Sequence, residues 1–178
     1  TEEAVRFIEK HAAEPFFLYL PHTMPGSTAH PFSRENFRGK SANGEYGDSV
    51  EELDWSTGEI MAALQRLKLA DNTLVVWTSD NGAVKRNPPQ GSNAPYRGSG
   101  YDTSEGAMRM PCVMRWPGKI AAGAVNDALC SALDLLPTFA SLTGASMPPH
   151  RIDGHGIPSI LFGAGNPASP WDDDGFFY

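Results

Sequence analysis

The chain has 178 residues, of which 40% are hydrophobic and 20% charged, with a formal net charge of −7. That is enough apolar material for one ordinary domain or a large piece of a bigger one; it excludes a disordered tail, and no run approaches the roughly 20 apolar residues of a membrane-spanning helix. An isoelectric point of about 5.1 argues against a dedicated nucleic-acid binder, while leaving room for a local basic pocket for a small anion.

Residues 2–13 predict a helix with Val5, Ile8 and Ala12 on one face. Phe16-Phe17-Leu18-Tyr19-Leu20 is a continuous apolar run ending at Pro21, the pattern of a strand buried on both faces, as in a parallel sheet. A loop rich in Pro, Gly, Ser and Asn follows over 21–47. Asp48 and Ser49 stand three residues before Glu51 and Glu52, the spacing of a capping box. Val50, Leu53, Ile60, Met61, Leu64 and Leu67 then carry a helical period to about Leu69.

Thr73–Thr78 reads as a second interior strand, and 79–110 as a long loop. A loop of about 30 residues in a compact domain is usually functional. Cys112–Trp116 predicts a third strand and Ala128–Cys130 a short fourth. Leu135–Leu142 predicts a helix with Pro137 in its first turn and Gly144 as its stop. A turn is expected at Pro158–Phe162. Residues 171–178 are expected to lead into a further strand, at Phe176-Phe177-Tyr178. Cys112 and Cys130 lie in apolar runs without zinc-ligand spacing, so two buried, unlinked thiols are expected. The alternation of helices and strands is an α/β pattern. Opening on a helix and closing inside a strand, it reads as part of a larger α/β domain.

Three loops could carry chemistry. Ser79-Asp80-Asn81-Gly82 directly follows a predicted strand, where ligands gather in open α/β sheets. Asp80 and Asn81 offer two hard oxygen ligands with no His or Cys beside them, which suits Ca²⁺ or Mg²⁺ rather than zinc. Asn-Gly is equally a turn dipeptide, and taken alone the turn is the simpler reading. His22, in Pro21–Gly26, also follows a strand and could hydrogen-bond an anion or protonate a leaving group; a surface loop histidine is the plainer alternative. Ser92–Gly106 combines glycines that permit close backbone approach with Arg97, which could hold an anion. It is neither a dinucleotide fingerprint nor a phosphate-binding loop, and a turn-rich surface loop fits it as well.

Taken in order, FFLYLPHTMP, YGDSVEELDWSTGEI, DNTLVVWTSDNG, YRGSGYDTSEGAMRMPCVMRWPGKI, SALDLLPTFASLTGA and IDG closely resemble the C-terminal half of the catalytic domain of type I sulfatases, the arylsulfatase family, from about Pro15 to Tyr178. The resemblance implies an alkaline-phosphatase-like α/β/α sandwich, present here as a partial domain over 1–178. It implies hydrolysis of a sulfate ester, on a sulfated small molecule or glycan, by a formylglycine nucleophile beside one divalent cation, Ca²⁺ or Mg²⁺. It also implies that Asp80 and Asn81 are metal ligands. Members of the family are often exported, and the compartment is left open.

Three departures accompany the match. No Cys or Ser here fits the C/S-x-P-x-R nucleophile motif, and the paired N-terminal metal carboxylates are absent. Asp172-Asp173-Asp174 reads instead as a solvated turn. Both motifs are expected upstream of Thr1, so this chain alone should be inactive. Finally, the family's sulfate-binding His and Lys are replaced by Gly26 and Gly100. Relocation of the anion site to His22 and Lys85, with Arg97 binding sulfate oxygens, is the expectation. The alternatives are a phosphomonoester or phosphonate hydrolase of the same superfold, and a non-catalytic fragment. Half a parallel sheet would leave an apolar edge open to homodimerisation.

Overall fold

The computed structural model describes residues 1–163 and 167–175. It divides into two compact units, Thr1–Trp116 and Pro117–Tyr178.

In the first unit, α1 (Glu2–Lys10) packs on α2 (Gly44–Arg66), and an antiparallel pair, β1 (Val75–Thr78) with β2 (Cys112–Arg115), follows; a short helix α3 (Glu105–Met108) lies between the strands in sequence. The core is Ile8, Leu64 and Ala70, with Phe7, Phe16, Leu18, Ile60, Met61 and Val75 packed against it. Burying side chains of the size of Ile8 and Leu64 is worth about 1.5–3 kcal/mol each. Arg66 on α2 reaches Glu9 on α1 at 2.7 Å across the edge of this contact.

Several expectations are corrected. The two strands pair antiparallel, Val75 opposite Arg115 and Thr78 opposite Cys112, where a parallel sheet is expected from the apolar runs. Apolar runs report burial, not strand direction, and a 30-residue connection permits either sense. Phe16–Leu20 forms no ladder among the described residues, and it is not buried on both faces. Phe16 and Leu18 face the core, while Phe17 and Tyr19 are 71% and 77% exposed. The run has the two-fold alternation of an extended segment, with one face uncovered. Ala128–Cys130 likewise forms no strand. Neither Cys112 nor Cys130 is in a disulfide, and both are exposed rather than buried.

Helix α2 starts four residues before the expected cap, so Asp48 lies inside it. Its buried carboxylate turns back on the preceding loop and accepts the backbone N–H groups of Gly39 (2.6 Å), Lys40 (3.0 Å) and Ser41 (2.8 Å). The bonds from Ser41 and Gly39 hold the Asp48 carboxyl below the usual carboxylate range. A depressed folded pKa contributes stability above the unfolded value, near pH 4, and loses it as pH falls through the folded value. Asp48→Asn is therefore expected to lower the melting temperature at neutral pH. In an acid titration of unfolding, its deficit relative to wild type should shrink below about pH 4. A deficit independent of pH would refute the carboxylate's role.

The second unit is built on Asp134. A 3₁₀ turn (Ala132–Asp134) leads into α4 (Leu135–Thr143), which carries Pro137 in its first turn and ends at left-handed Gly144. Ser131 and Asp134 form the capping box. The fully buried Asp134 carboxylate accepts from the Ser131 N–H (2.7 Å), the His155 N–H (2.8 Å) and the Trp171 indole (2.9 Å). Thr138 adds a bond from the Ile157 N–H at 3.0 Å. The expected turn at Pro158–Phe162 is the one-turn helix α5. Trp171–Asp174 is the short helix α6, not the start of a strand. Its entry is held by Asp172, which accepts the Ser169 N–H at 2.9 Å, and by the Trp171 bond to Asp134. The strand expected at 176–178 lies outside the described residues.

Candidate active site

The segment that follows β1 is drawn together by backbone bonds between three motifs far apart in sequence. The Gly82 N–H donates to the Ala107 carbonyl (2.7 Å), the Gly100 N–H to Ala83 (3.0 Å) and the Gly106 N–H to Arg97 (2.8 Å). Two of these glycines are required by the closeness of the packing. A Cβ on Gly82 would stand 1.9 Å from the Gly106 carbonyl oxygen. One on Gly100 would stand 2.6 Å from the Gly82 carbonyl oxygen and 3.2 Å from Asn81 Oδ1. Gly100 is thus fixed by its neighbours, and no lysine fits this backbone without a shift.

Asn93 completes the cluster. Its side-chain amide pairs with Ala83 as a strand would, accepting the Ala83 N–H at 2.7 Å and donating to the Ala83 carbonyl at 2.8 Å. Sequence reasoning missed this residue. Its only signal was an amide side chain inside a long glycine-rich loop.

Asp80 and Asn81 stand at the end of β1, beneath this cluster. Asn81 Nδ2 donates to Asp80 Oδ1 at 2.9 Å, and the Ser79 hydroxyl lies 3.4 Å from the same oxygen. Asn81 Oδ1 is buried with no hydrogen-bond partner among the described residues. An orphaned carbonyl costs roughly 1–3 kcal/mol. It sits beside an exposed carboxylate, so the donor set is oxygen only. Those features fit a hard divalent cation. Among the described residues no group of three or more His, Cys, Asp or Glu side chains forms a self-sufficient metal centre. Asp80 and Asn81 could supply part of a coordination shell.

The three other candidate residues are placed differently. Lys85 and Arg97 are exposed, and neither side chain bonds to another described residue. The backbone carbonyl of Arg97 is used by Gly106. His22 lines a small cavity with Met24, Phe32, Ser49, Glu52 and Ser56, where its Nε2 lies 3.4 Å from the Ser56 hydroxyl. Burial lowers its pKa against an opposing pull from Glu52. At neutral pH His22 is a neutral imidazole, a hydrogen-bonding group rather than a cation.

The Sulfatase family profile matches residues 1–145, and the chain belongs to that family. It is 43% identical over 169 residues to steryl-sulfatase of Mus musculus, covering 91% of this chain and 27% of that protein. It is also 43% identical over 169 residues to the N-acetylgalactosamine-6-sulfatase of Mus musculus, covering 92% and 32%. Among solved structures it is similar to the PsFucS1 sulfatase from Pseudoalteromonas sp., with a TM-score of 0.85, 32% identity, and coverage of 94% of this chain and 34% of that one. The chain therefore spans about a third or less of the length of these two mouse sulfatases.

Proposed function

We propose that the protein to which this chain belongs is a sulfuric ester hydrolase of arylsulfatase type, with an alkaline-phosphatase-like α/β/α catalytic domain of which 1–178 is the C-terminal part. The observation that carries this reading is the Asp80–Asn81 pair, with the buried, unpartnered Asn81 Oδ1, on a loop of a Sulfatase-family chain. A Ca²⁺ or Mg²⁺ ion bound there would supply Lewis-acid stabilisation of charge on the ester. Asp80 and Asn81 would hold it, together with carboxylates from elsewhere in the protein. A formylglycine nucleophile would also come from elsewhere, because no C/S-x-P-x-R motif occurs in the 178 residues.

The chain's own residues have distinct tasks. Neutral His22 would donate a hydrogen bond to the ester oxygen. Lys85 and Arg97, exposed and with no side-chain partner among the described residues, would bind sulfate oxygens. The names of the relatives point to two kinds of substrate, a sterol ester and an amino-sugar 6-sulfate. A sulfated small molecule or glycan is the substrate class proposed here.

The test compares hydrolysis of an aryl sulfate and an aryl phosphate by the full-length protein. Sulfate turnover should dominate, and the 178-residue chain alone should turn over neither. His22→Ala and Lys85→Ala should each lower the full-length rate by roughly 10²-fold, the scale of losing one oxyanion hydrogen-bond donor. Preference for the phosphate would reassign the ester. Wild-type rates in both variants would end the relocation of the anion site.

A further inference from the structure

We propose that Arg86 is a positioning residue that staples the 23–28 turn to the segment beginning at Asp80-Asn81, making one rigid wall of two loops. The proposal rests on the reading of this region as an ester-hydrolase site. Arg86 follows Lys85, and only Lys85 is singled out by sequence reasoning. The structure gives the two neighbours opposite environments. Lys85 is exposed, whereas the Arg86 guanidinium is turned into the protein.

Arg86 Nη1 donates to the Thr28 carbonyl, and Nη2 donates to the Gly26 carbonyl, with the Pro25 carbonyl 3.5 Å away. The guanidinium carbon lies 5.1 Å from the centroid of the Tyr46 ring, near the start of α2. Nε is buried and has no partner. The charge is thus spent on backbone carbonyls and an aromatic face, from a half-buried position. A planar fork can reach two carbonyls of one turn at once, which a single ammonium does less well.

The turn it grips is tight. Gly26 has φ of +50°, and a Cβ there would stand 2.8 Å from the Thr23 carbonyl oxygen. No side chain can therefore extend from residue 26 without strain, so the turn can present only its backbone and its neighbours. His22 opens the same loop, and a second tie, His30 Nδ1 to Glu45 Oε2 at 2.9 Å, fixes its far end to α2. Arg86 joins this held loop to the loop that carries the oxygen ligands. With the staple in place, the ordering entropy of the 23–28 turn is lost on folding rather than on substrate binding.

The test uses the full-length protein with Arg86→Met and Arg86→Lys. Hydrogen exchange of amides in 23–30 should accelerate about tenfold or more in Arg86→Met and less in Arg86→Lys, with α2 and β1 protection unchanged. For an aryl sulfate, KM should rise about tenfold in Arg86→Met while kcat stays within about twofold. Unchanged exchange in 23–30 would overturn the proposal. So would a uniform loss of protection across α2 and β1 in both variants, which would make Arg86 a general structural residue. A fall in kcat at constant KM would place it at the reacting atoms instead. Absence of sulfatase turnover in the wild type would sink the proposed activity, while the exchange data would still decide the staple.

Discussion

Replacing Asp80 by Ala in the full-length protein is expected to lower sulfate-ester turnover by about 10²-fold or more and to abolish stabilisation by Ca²⁺. Loss of a group that only orients a metal ligand typically costs 10–100-fold, and a direct ligand should cost at least that. A ligand that binds only the folded state stabilises it by about 2.7 kcal/mol at 100 times its Kd, so thermal unfolding with and without Ca²⁺ gives a readout independent of turnover. Asn81→Ala supplies the sharper contrast. Its Oδ1 is buried and unpartnered. Removing it from the metal-free protein takes away a desolvated carbonyl whose cost is not repaid. Metal-free Asn81→Ala, which also gives up the exposed Nδ2 bond to Asp80 Oδ1, should thus stay within about 1 kcal/mol of wild type in stability, yet should gain little from added Ca²⁺. If Ca²⁺ raises the melting temperature of wild type and both variants equally, the pair is a turn and not a metal site.

The second large effect is expected in the second unit. Asp134→Ala should destabilise the second unit by about 3 kcal/mol or more. The substitution strands three donors at once, the N–H groups of Ser131 and His155 and the indole of Trp171, around a carboxylate with no exposure. Asp134→Asn should not rescue it. Ser131 and Trp171 both donate to Oδ2 while His155 donates to Oδ1, so an amide in either orientation sets an N–H against an N–H. Trp171 is the single tryptophan after Trp116, so with Trp55, Trp77 and Trp116 replaced by Phe in the 178-residue chain its fluorescence reports this unit during denaturant unfolding. A change under 1 kcal/mol for Asp134→Ala would show that the hub is dispensable.

The elements legible in the sequence were those whose signal is local. Helix α4 reads directly from its apolar period, an early Pro137 and a terminal Gly144, and it forms as expected. The long helix α2 was visible from its period, but its start was not. Asp48 and Ser49 carry the spacing of a cap, and the carboxylate caps the 39–41 backbone instead. That choice depends on which loop folds against the helix, and spacing along one chain cannot report it. The Asp80-Asn81 pair was legible as a candidate because it follows a strand. Its partner segments, the 93–100 loop and the start of α3 at 105–107, were legible only as glycine-rich.

By itself, the sequence determined the apolar periods, the placement of Asp80 and Asn81 just past a strand, and the order of motifs that matches the Sulfatase family. Tertiary structure alone decided strand direction, the exposed face of Phe17 and Tyr19, and the roles of Asn93, Asp48 and Asp134. It also decided that Lys85 faces solvent while the adjacent Arg86 grips the 23–28 turn. The physical reason is common to these cases. Burial and helix propensity are written in the residue and its near neighbours, whereas a polar side chain takes its role from whichever distant backbone groups the fold leaves unsatisfied beside it.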